Sequence, residues 1–309
     1  MSIFVIIQRM LMLLAMMALG YISYKKDWLD DHSYQKLSQL VVNLFNPILI
    51  INGAVTANSS GGADMNLIKE NLVFVAIYFV VNIIISYPVG MLFGKGSKNV
   101  NVFQLMTIFS NVGFMGIPVL SSIYGEGCII YTTFYILAYN LCLYTVGTVL
   151  AQKSLPKEER HLGLSGLINI GTICSLIAII IFFSGMHFNE SVLGFFNYVG
   201  NATIPLSMIV IGVSVAKVPL KDVFKGVSNY AFALTTLIII PIAYAFAFRW
   251  LKNDPTIFGV FVLTEAMPVG SIVTMIIKEY GGDESLCGRI TIITTLLSII
   301  TIPIVAMFI

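Results

Sequence analysis

Apolar runs of about 20 residues, the length that crosses a bilayer as a helix, follow one another along nearly the whole chain. One of them is interrupted by Asn111-Val112-Gly113-Phe114-Met115-Gly116-Ile117-Pro118. In hydrocarbon every backbone N–H and C=O must be satisfied within the protein, so runs of this length fold as bundled helices. The octet opposes a helix. Gly113 and Gly116 weaken it, and Pro118 removes a donor and collides with the preceding turn. A helix broken at membrane depth persists where it lines a cavity, and in transporters that cavity is where ligand binds.

Hydropathy places ten spans at roughly 3–23, 37–57, 70–93, 100–123, 127–150, 165–184, 190–216, 228–250, 255–278 and 285–308. The run from Ile3 to Ile22 is long enough to span and lacks the charged start of a leader, so it is read as the first span. Charged residues make up 10% of the chain, against about 25% in a soluble domain. That excludes a soluble globular protein and leaves the lipid bilayer as its surroundings. The net charge is +2 without a basic tail, so nucleic acid is not an expected partner. The longest polar connection, Ala151 to Gly163, divides the chain into residues 1–150, a linker at 151–164, and residues 165–309.

Lysine and arginine set the orientation. Odd loops carry Lys25, Lys26, Lys36, Lys95, Lys98, Lys153, Lys157, Arg160, Lys217, Lys221, Lys225, Lys278 and Arg289. Even loops carry Lys69, Arg249 and Lys252, and Arg9 lies within the first span. Odd loops therefore face the cytoplasm and both termini face outward, with Trp28 and Trp250 as interfacial anchors. The halves enter the membrane from opposite sides, so likeness between them is an inverted repeat. Ile123-Tyr124-Gly125-Glu126-Gly127 echoes Glu279-Tyr280-Gly281-Gly282-Asp283, and Asn46-Pro47-Ile48-Leu49 echoes Ile204-Pro205-Leu206. The expected fold is an all-α membrane protein of ten transmembrane helices, arranged as two inverted five-helix repeats with broken crossover helices in spans four and nine.

Four stretches carry a family resemblance: the octet 111–118; Tyr139-Asn140-Leu141 with Tyr144 and Gly147; Ala202-Thr203-Ile204-Pro205-Leu206-Ser207; and Ala266-Met267-Pro268-Val269-Gly270 with Lys278-Glu279-Tyr280-Gly281-Gly282-Asp283. Together they resemble the auxin efflux carrier family, in its bacterial form with a short central loop. The resemblance implies a scaffold of spans one, two, six and seven that forms a homodimer, and a moving transport domain of spans three to five and eight to ten. The leading functional reading is a secondary transporter of a small organic anion, a carboxylate such as a dicarboxylate or an auxin-like acid, working by elevator-like alternating access. The chain departs from plant members in span nine, where Val273 stands in place of a second proline, leaving Ser271 and Thr274 to supply side-chain polarity.

If spans four and nine break near the midplane, each second half begins there with free N–H groups and a positive dipole end. Two such ends make an anion site without lysine or arginine. The candidate substrate-binding residues are Asn111, Gly113, Gly116, Pro118, Gly270, Ser271 and Thr274, with Asn111 adding two amide donors. Gln104, Asn140 and Pro268 are weaker candidates. The opposing reading is that Asn111 and the glycines only permit tight helix packing. Glu265 is the acidic residue well inside a span. A charge there costs about 2.5–3.5 kcal/mol on insertion scales; the readings are that it carries a proton or cation as a coupling residue, that it pairs with Arg9 or faces water as part of the structure, or that it contacts substrate. Asn43, Asn46, Asn52 and Asn82 read as interhelical hydrogen-bond partners. Pro47, Pro88, Pro205, Pro241 and Pro303 read as kinks.

Other classes fare worse. Asp283 follows two glycines, but no second aspartate lies inside a span to make a protease dyad. Cys128, Cys142, Cys174 and Cys287 are scattered without metal-ligand spacing, and His32, His161 and His187 lie in loops. No cofactor, metal or enzymatic activity is expected. A sensor or channel on a transporter-like fold is the alternative.

Overall fold

The computed structural model describes residues 3–59, 65–94, 99–154, 170–217 and 226–309. Among them the secondary structure is helical apart from one isolated backbone bridge, between Ser110 and Val269. The first half contains α1 (Ile3–Lys25), α2 (Asp31–Leu40), α3 (Asn46–Ser59), α4 (Met65–Gly94), α5 (Val100–Ile108), α6 (Ile117–Tyr124), α7 (Ile129–Cys142) and α8 (Thr148–Ala151). The second contains α9 (Ile170–Ser184), α10 (Glu190–Lys217), α11 (Val227–Leu234), α12 (Ile240–Ala247), α13 (Pro255–Glu265), α14 (Ser271–Glu279) and α15 (Glu284–Ala306).

Seven helical runs among the described residues are long and apolar enough to cross a membrane: Phe4–Lys25, Asp31–Ser59, Met65–Gly94, Glu126–Ala151, Glu190–Lys217, Val227–Ala247 and Glu284–Ala306. The three other expected spans are shorter for identifiable reasons. Those at 100–123 and 255–278 are each divided, into α5 and α6 and into α13 and α14; α9 is described only from Ile170. Most of the 151–164 linker, with Lys157, Arg160 and His161, lies outside the described residues, as do Lys95, Lys98, Lys221 and Lys225. Trp28 and Trp250 are both exposed beside helix ends, the placement of an interfacial anchor.

The five prolines read as kinks, together with Pro118, divide into two kinds. Pro47, Pro118 and Pro241 each follow a five-residue π-helical turn by two positions: Val41–Phe45, Val112–Gly116 and Thr235–Ile239. A π turn widens the helix and eases the clash between the ring and the preceding turn. Pro88, Pro205 and Pro303 lie inside continuous α-helices. A further π turn, Leu143–Gly147, joins α7 to α8 without a proline.

Polar cross-links tie helices together in two regions, which also pack on each other where α7 meets α3 and α9 and where α1 meets α6 and α15. In one, α1 lies against α10, and α3 against α9 and α10. Asn58 Nδ2 donates to the carbonyls of Ile181 (2.8 Å) and Met186 (3.3 Å), and Lys217 pairs with Asp31 at 2.9 Å. In the other, α4 packs on α5, α7 and α13. Glu70 accepts from the backbone of Asn253 (2.9 Å) and Asp254 (3.1 Å), and Phe74 stacks on Phe261 at 4.6 Å. Asn52 Nδ2 reaches between the groups to Glu126 Oε2 at 3.4 Å.

The α1–α10 contact is backbone on backbone. A Cβ on Gly212 would stand 2.8 Å from the Met17 carbonyl carbon and 3.0 Å from the Tyr21 nitrogen, and one on Gly20 would stand 2.8 Å from Ile209 Cα. Small residues at such crossings let dispersion and packing hold helices together in lipid. Gly212→Val should therefore force the pair apart and lower stability by about 1–3 kcal/mol, read as an earlier melting transition of the purified protein. An unchanged transition would show that α1 and α10 are not packed this closely.

Candidate functional site

Both interruptions occur, and they meet. α5 ends at Ile108 and helix resumes at Val112; α13 ends at Glu265 and helix resumes at Ser271. Between them Ser110 and Val269 form an antiparallel bridge. The Asn111 N–H donates to the Pro268 carbonyl (2.7 Å), and the Gly270 N–H donates to the Phe109 carbonyl (2.9 Å). Each break thus satisfies backbone groups that the other leaves open, which burial requires. Thr294 Oγ1 on α15 accepts from the Val269 N–H at 3.2 Å.

Asn111 is the N-cap of the helix that resumes at Val112: its Oδ1 accepts from the Phe114 N–H at 3.2 Å. It is buried, with 8% exposure, and its Nδ2 is without an acceptor among the described residues. One end of the amide holds the helix start and the other is available to a ligand. Gly113 is partly exposed, with open space where a Cβ would stand. Gly116 is buried, and its N–H closes the π turn onto the Asn111 carbonyl at 2.9 Å. Ser271 is exposed at the first position of α14.

The other candidates are placed as follows. Pro118 sits in the first turn of α6, after the π turn, while the interruption spans 109–111. Gly270 contributes closeness instead of a donor. Its N–H is used at the crossing, and a Cβ there would lie 2.9 Å from Tyr139 Oη and 3.1 Å from the Phe109 carbonyl oxygen. Thr274 turns its hydroxyl to Cys287 Sγ at 3.3 Å. Gln104 is buried, with its side chain close to Gly90 of α4, and Pro268 acts through its carbonyl. Asn140 is half-buried on α7, next to Tyr139, whose ring packs edge-on against Phe109 at 5.2 Å.

Glu265 does not pair with Arg9, which is exposed on α1. It is the last residue of α13, with 5% exposure, and Oε2 accepts from Asn82 Nδ2 at 2.6 Å. Tyr244 Oη in turn donates to Asn82 Oδ1 at 3.0 Å. A second chain runs beside the first: Tyr78 Oη and Ser110 Oγ lie 2.8 Å apart, and Ser110 Oγ donates to the Thr264 carbonyl at 3.1 Å. Tyr78, Ser110, Tyr244 and Thr294 escaped sequence reasoning, because apolar windows treat tyrosine, serine and threonine as neutral filling.

The matching family model, described as membrane transport protein, covers residues 5–162 and 159–306. The chain belongs to this family, that of the auxin efflux carriers. The transporter is 25% identical over 305 residues to an uncharacterized transporter of Methanothermobacter thermautotrophicus, spanning 96% of each chain. It is 24% identical over 299 residues to an uncharacterized transporter of Methanocaldococcus jannaschii, spanning 94% of this chain and 95% of that one. It is accordingly an integral membrane transport protein. No metal-binding cluster of His, Cys, Asp or Glu occurs among the described residues.

The crossing makes a differential prediction for the transporter. Gly270→Ala should wedge the two breaks apart and lower stability by about 1–3 kcal/mol. Pro118→Ala should leave the crossing intact, since the break precedes that residue. Thermal melts of the two variants check this. A larger loss from Pro118→Ala than from Gly270→Ala would contradict the geometry.

Proposed function

We propose that the protein is a secondary transporter of small organic anions, carboxylates such as a dicarboxylate or an auxin-like acid, working by elevator-type alternating access. The crossing of the two broken helices carries this reading. Helix resumes at Val112 and at Ser271 on either side of it, so two positive dipole ends flank one point. Neither 99–124 nor 254–277 contains a lysine or arginine. A carboxylate is matched there by helix ends, backbone amides and Asn111 Nδ2, a set of donors that holds charge without burying a cation.

The two cross-linked groups support the elevator. α1, α2, α3, α9 and α10 would form the scaffold, and α4–α8 with α11–α15 the moving part that carries the crossing. This division is the one that the family resemblance implies. In this reading ten spans form two inverted repeats. Gly125 (φ 85°) follows Tyr124 at the end of α6, and Gly281 (φ 67°) follows Tyr280 just past the end of α14, which favours the repeat. The scaffold pairs two copies in the cell membrane, with both termini outside as the lysine and arginine distribution favours. Glu265, buried beside the crossing, couples movement to a proton gradient.

Uptake of radiolabelled mono- and dicarboxylates into proteoliposomes, with and without a pH gradient, tests the reading. Wild type should accumulate at least one carboxylate. Glu265→Gln should lose gradient-driven accumulation and keep exchange of substrate across the membrane. Asn111→Ser keeps an oxygen for the helix cap but removes the amide donor; it should melt near wild type and bind carboxylate more weakly by roughly 1–3 kcal/mol. Binding of carboxylate without any uptake would instead support a sensor. Unchanged affinity in Asn111→Ser would remove Asn111 from the site.

A further inference from the structure

Asn82 occupies an unusual position for an interhelical asparagine. It is fully buried on α4, yet both ends of its amide face titratable side chains from two other helices. Nδ2 donates to Glu265 Oε2 on α13 (2.6 Å), and Oδ1 accepts from Tyr244 Oη on α12 (3.0 Å). The Tyr244 hydroxyl also has the Tyr78 carbonyl within 3.4 Å. An amide can present either its donor or its acceptor to a neighbour by turning over, and the tyrosine has an acceptor for each case.

We propose that Asn82, oriented by Tyr244, is the positioning residue that registers the charge on Glu265. With the carboxylate ionised, Nδ2 donates to Oε2 and Tyr244 donates to Oδ1, as the structure has them. When Glu265 takes a proton from water, its new O–H requires an acceptor. The amide turns over and presents Oδ1 to that O–H. Nδ2 then donates to Tyr244 Oη, whose proton turns to the Tyr78 carbonyl. The amide oxygen, the tyrosine hydroxyl and the carboxyl oxygen that meets the amide each keep a partner in both states, and the one chemical change is the proton gained at Glu265. A leucine or alanine at position 82 would leave a buried acceptor or donor open in one state or both, which is costly in a medium that cannot hydrate it.

The surroundings leave this amide in charge of the carboxyl. Among the described residues no ion pair involves Glu265. The titratable groups that interact with it on neighbouring helices are tyrosines, Tyr78 on α4 and Tyr244 on α12, and Tyr135 and Tyr139 of α7 lie near Tyr78 in turn. Tyr135 packs edge-on against Tyr78 at 5.6 Å, and Tyr124 on α6 meets Gly259, nearly two turns before Glu265. Glu70, near the start of α4, is engaged by the backbone that opens α13; Glu126 precedes α7, and Glu284 and Arg289 lie in the first turns of α15. The second chain, Tyr78 to Ser110 to the Thr264 carbonyl, ties the helix that bears Asn82 to the crossing itself. A change in the amide is thereby transmitted to the point where the two broken helices are joined.

This inference rests on the proposed role of Glu265 only for its use in transport; the pairing can be tested without a substrate. Infrared difference spectra of the purified full-length protein, recorded as pH is lowered, show the C=O stretch of a protonated carboxyl. The Glu265 band is the one that Glu265→Gln removes. In Asn82→Leu the midpoint at which this band appears should move upward by about one pH unit or more, because the ionised form loses its donor, and the band frequency should change. Tyr244→Phe, a gentler substitution, should move the midpoint in the same direction by less. A Glu265 band with the wild-type midpoint and frequency in both variants would overturn the proposal, as would the absence of such a band wherever the protein stays folded. If the band shifts as expected while Glu265→Gln accumulates carboxylate normally, the coupling reading fails and the pairing stands.

Discussion

Two backbone hydrogen bonds hold the centre of this protein: Asn111 N–H to the Pro268 carbonyl and Gly270 N–H to the Phe109 carbonyl. A helix interrupted in hydrocarbon opens backbone groups at several kcal/mol each. Here each interruption offsets the cost of the other, so neither can close into a continuous helix without stranding its partner. The requirement explains residues that are otherwise ordinary. Gly270 must be small because three oxygens crowd the place of a Cβ. Thr294 must present its hydroxyl to Val269, and Ser110 must bridge Tyr78 and the Thr264 carbonyl.

The same constraint supplies the chemistry. Helix resumes just beyond the crossing on each strand, so the polar resources there are helix ends and an asparagine amide in place of charged side chains. In the proposed reading such a site suits an anion that must be released again, because it offers partial charges where a buried lysine would hold on. Glu265, a carboxyl close to the crossing, sits at the opposite kind of helix end, the negative one. A charge there gains nothing from the dipole, which makes the donor from Asn82 its principal support.

Much of this was legible in the chain and some was not, for physical reasons. Asn111, two glycines and Pro118 mark an interrupted helix because each lowers helix stability by a known local mechanism, and Met267-Pro268-Val269-Gly270 does the same in the other half. The place of the first interruption, 109–111, is less plainly written. A proline can be absorbed by a π turn ahead of it, so Pro118 marks the end of the disturbance and not its centre. The partner of Glu265 was also out of reach. Arg9 is the obvious charge complement in composition, but it lies on the exposed face of α1, whereas Asn82 is 183 positions from Glu265 and joined to it only through tertiary packing. Side chains that could turn to either of two neighbours, such as Thr274, are not assigned by spacing alone.

If the helix starts at the crossing are the anion-binding surface, their amides should sense the ligand first. Hydrogen–deuterium exchange of the full-length protein, with and without a transported carboxylate, reads those amides directly. Added carboxylate should slow exchange in peptides covering 112–116 and 271–275 more than elsewhere in the transporter. Slowed exchange confined to other helices, with these two segments unchanged, would contradict an anion site at the crossing.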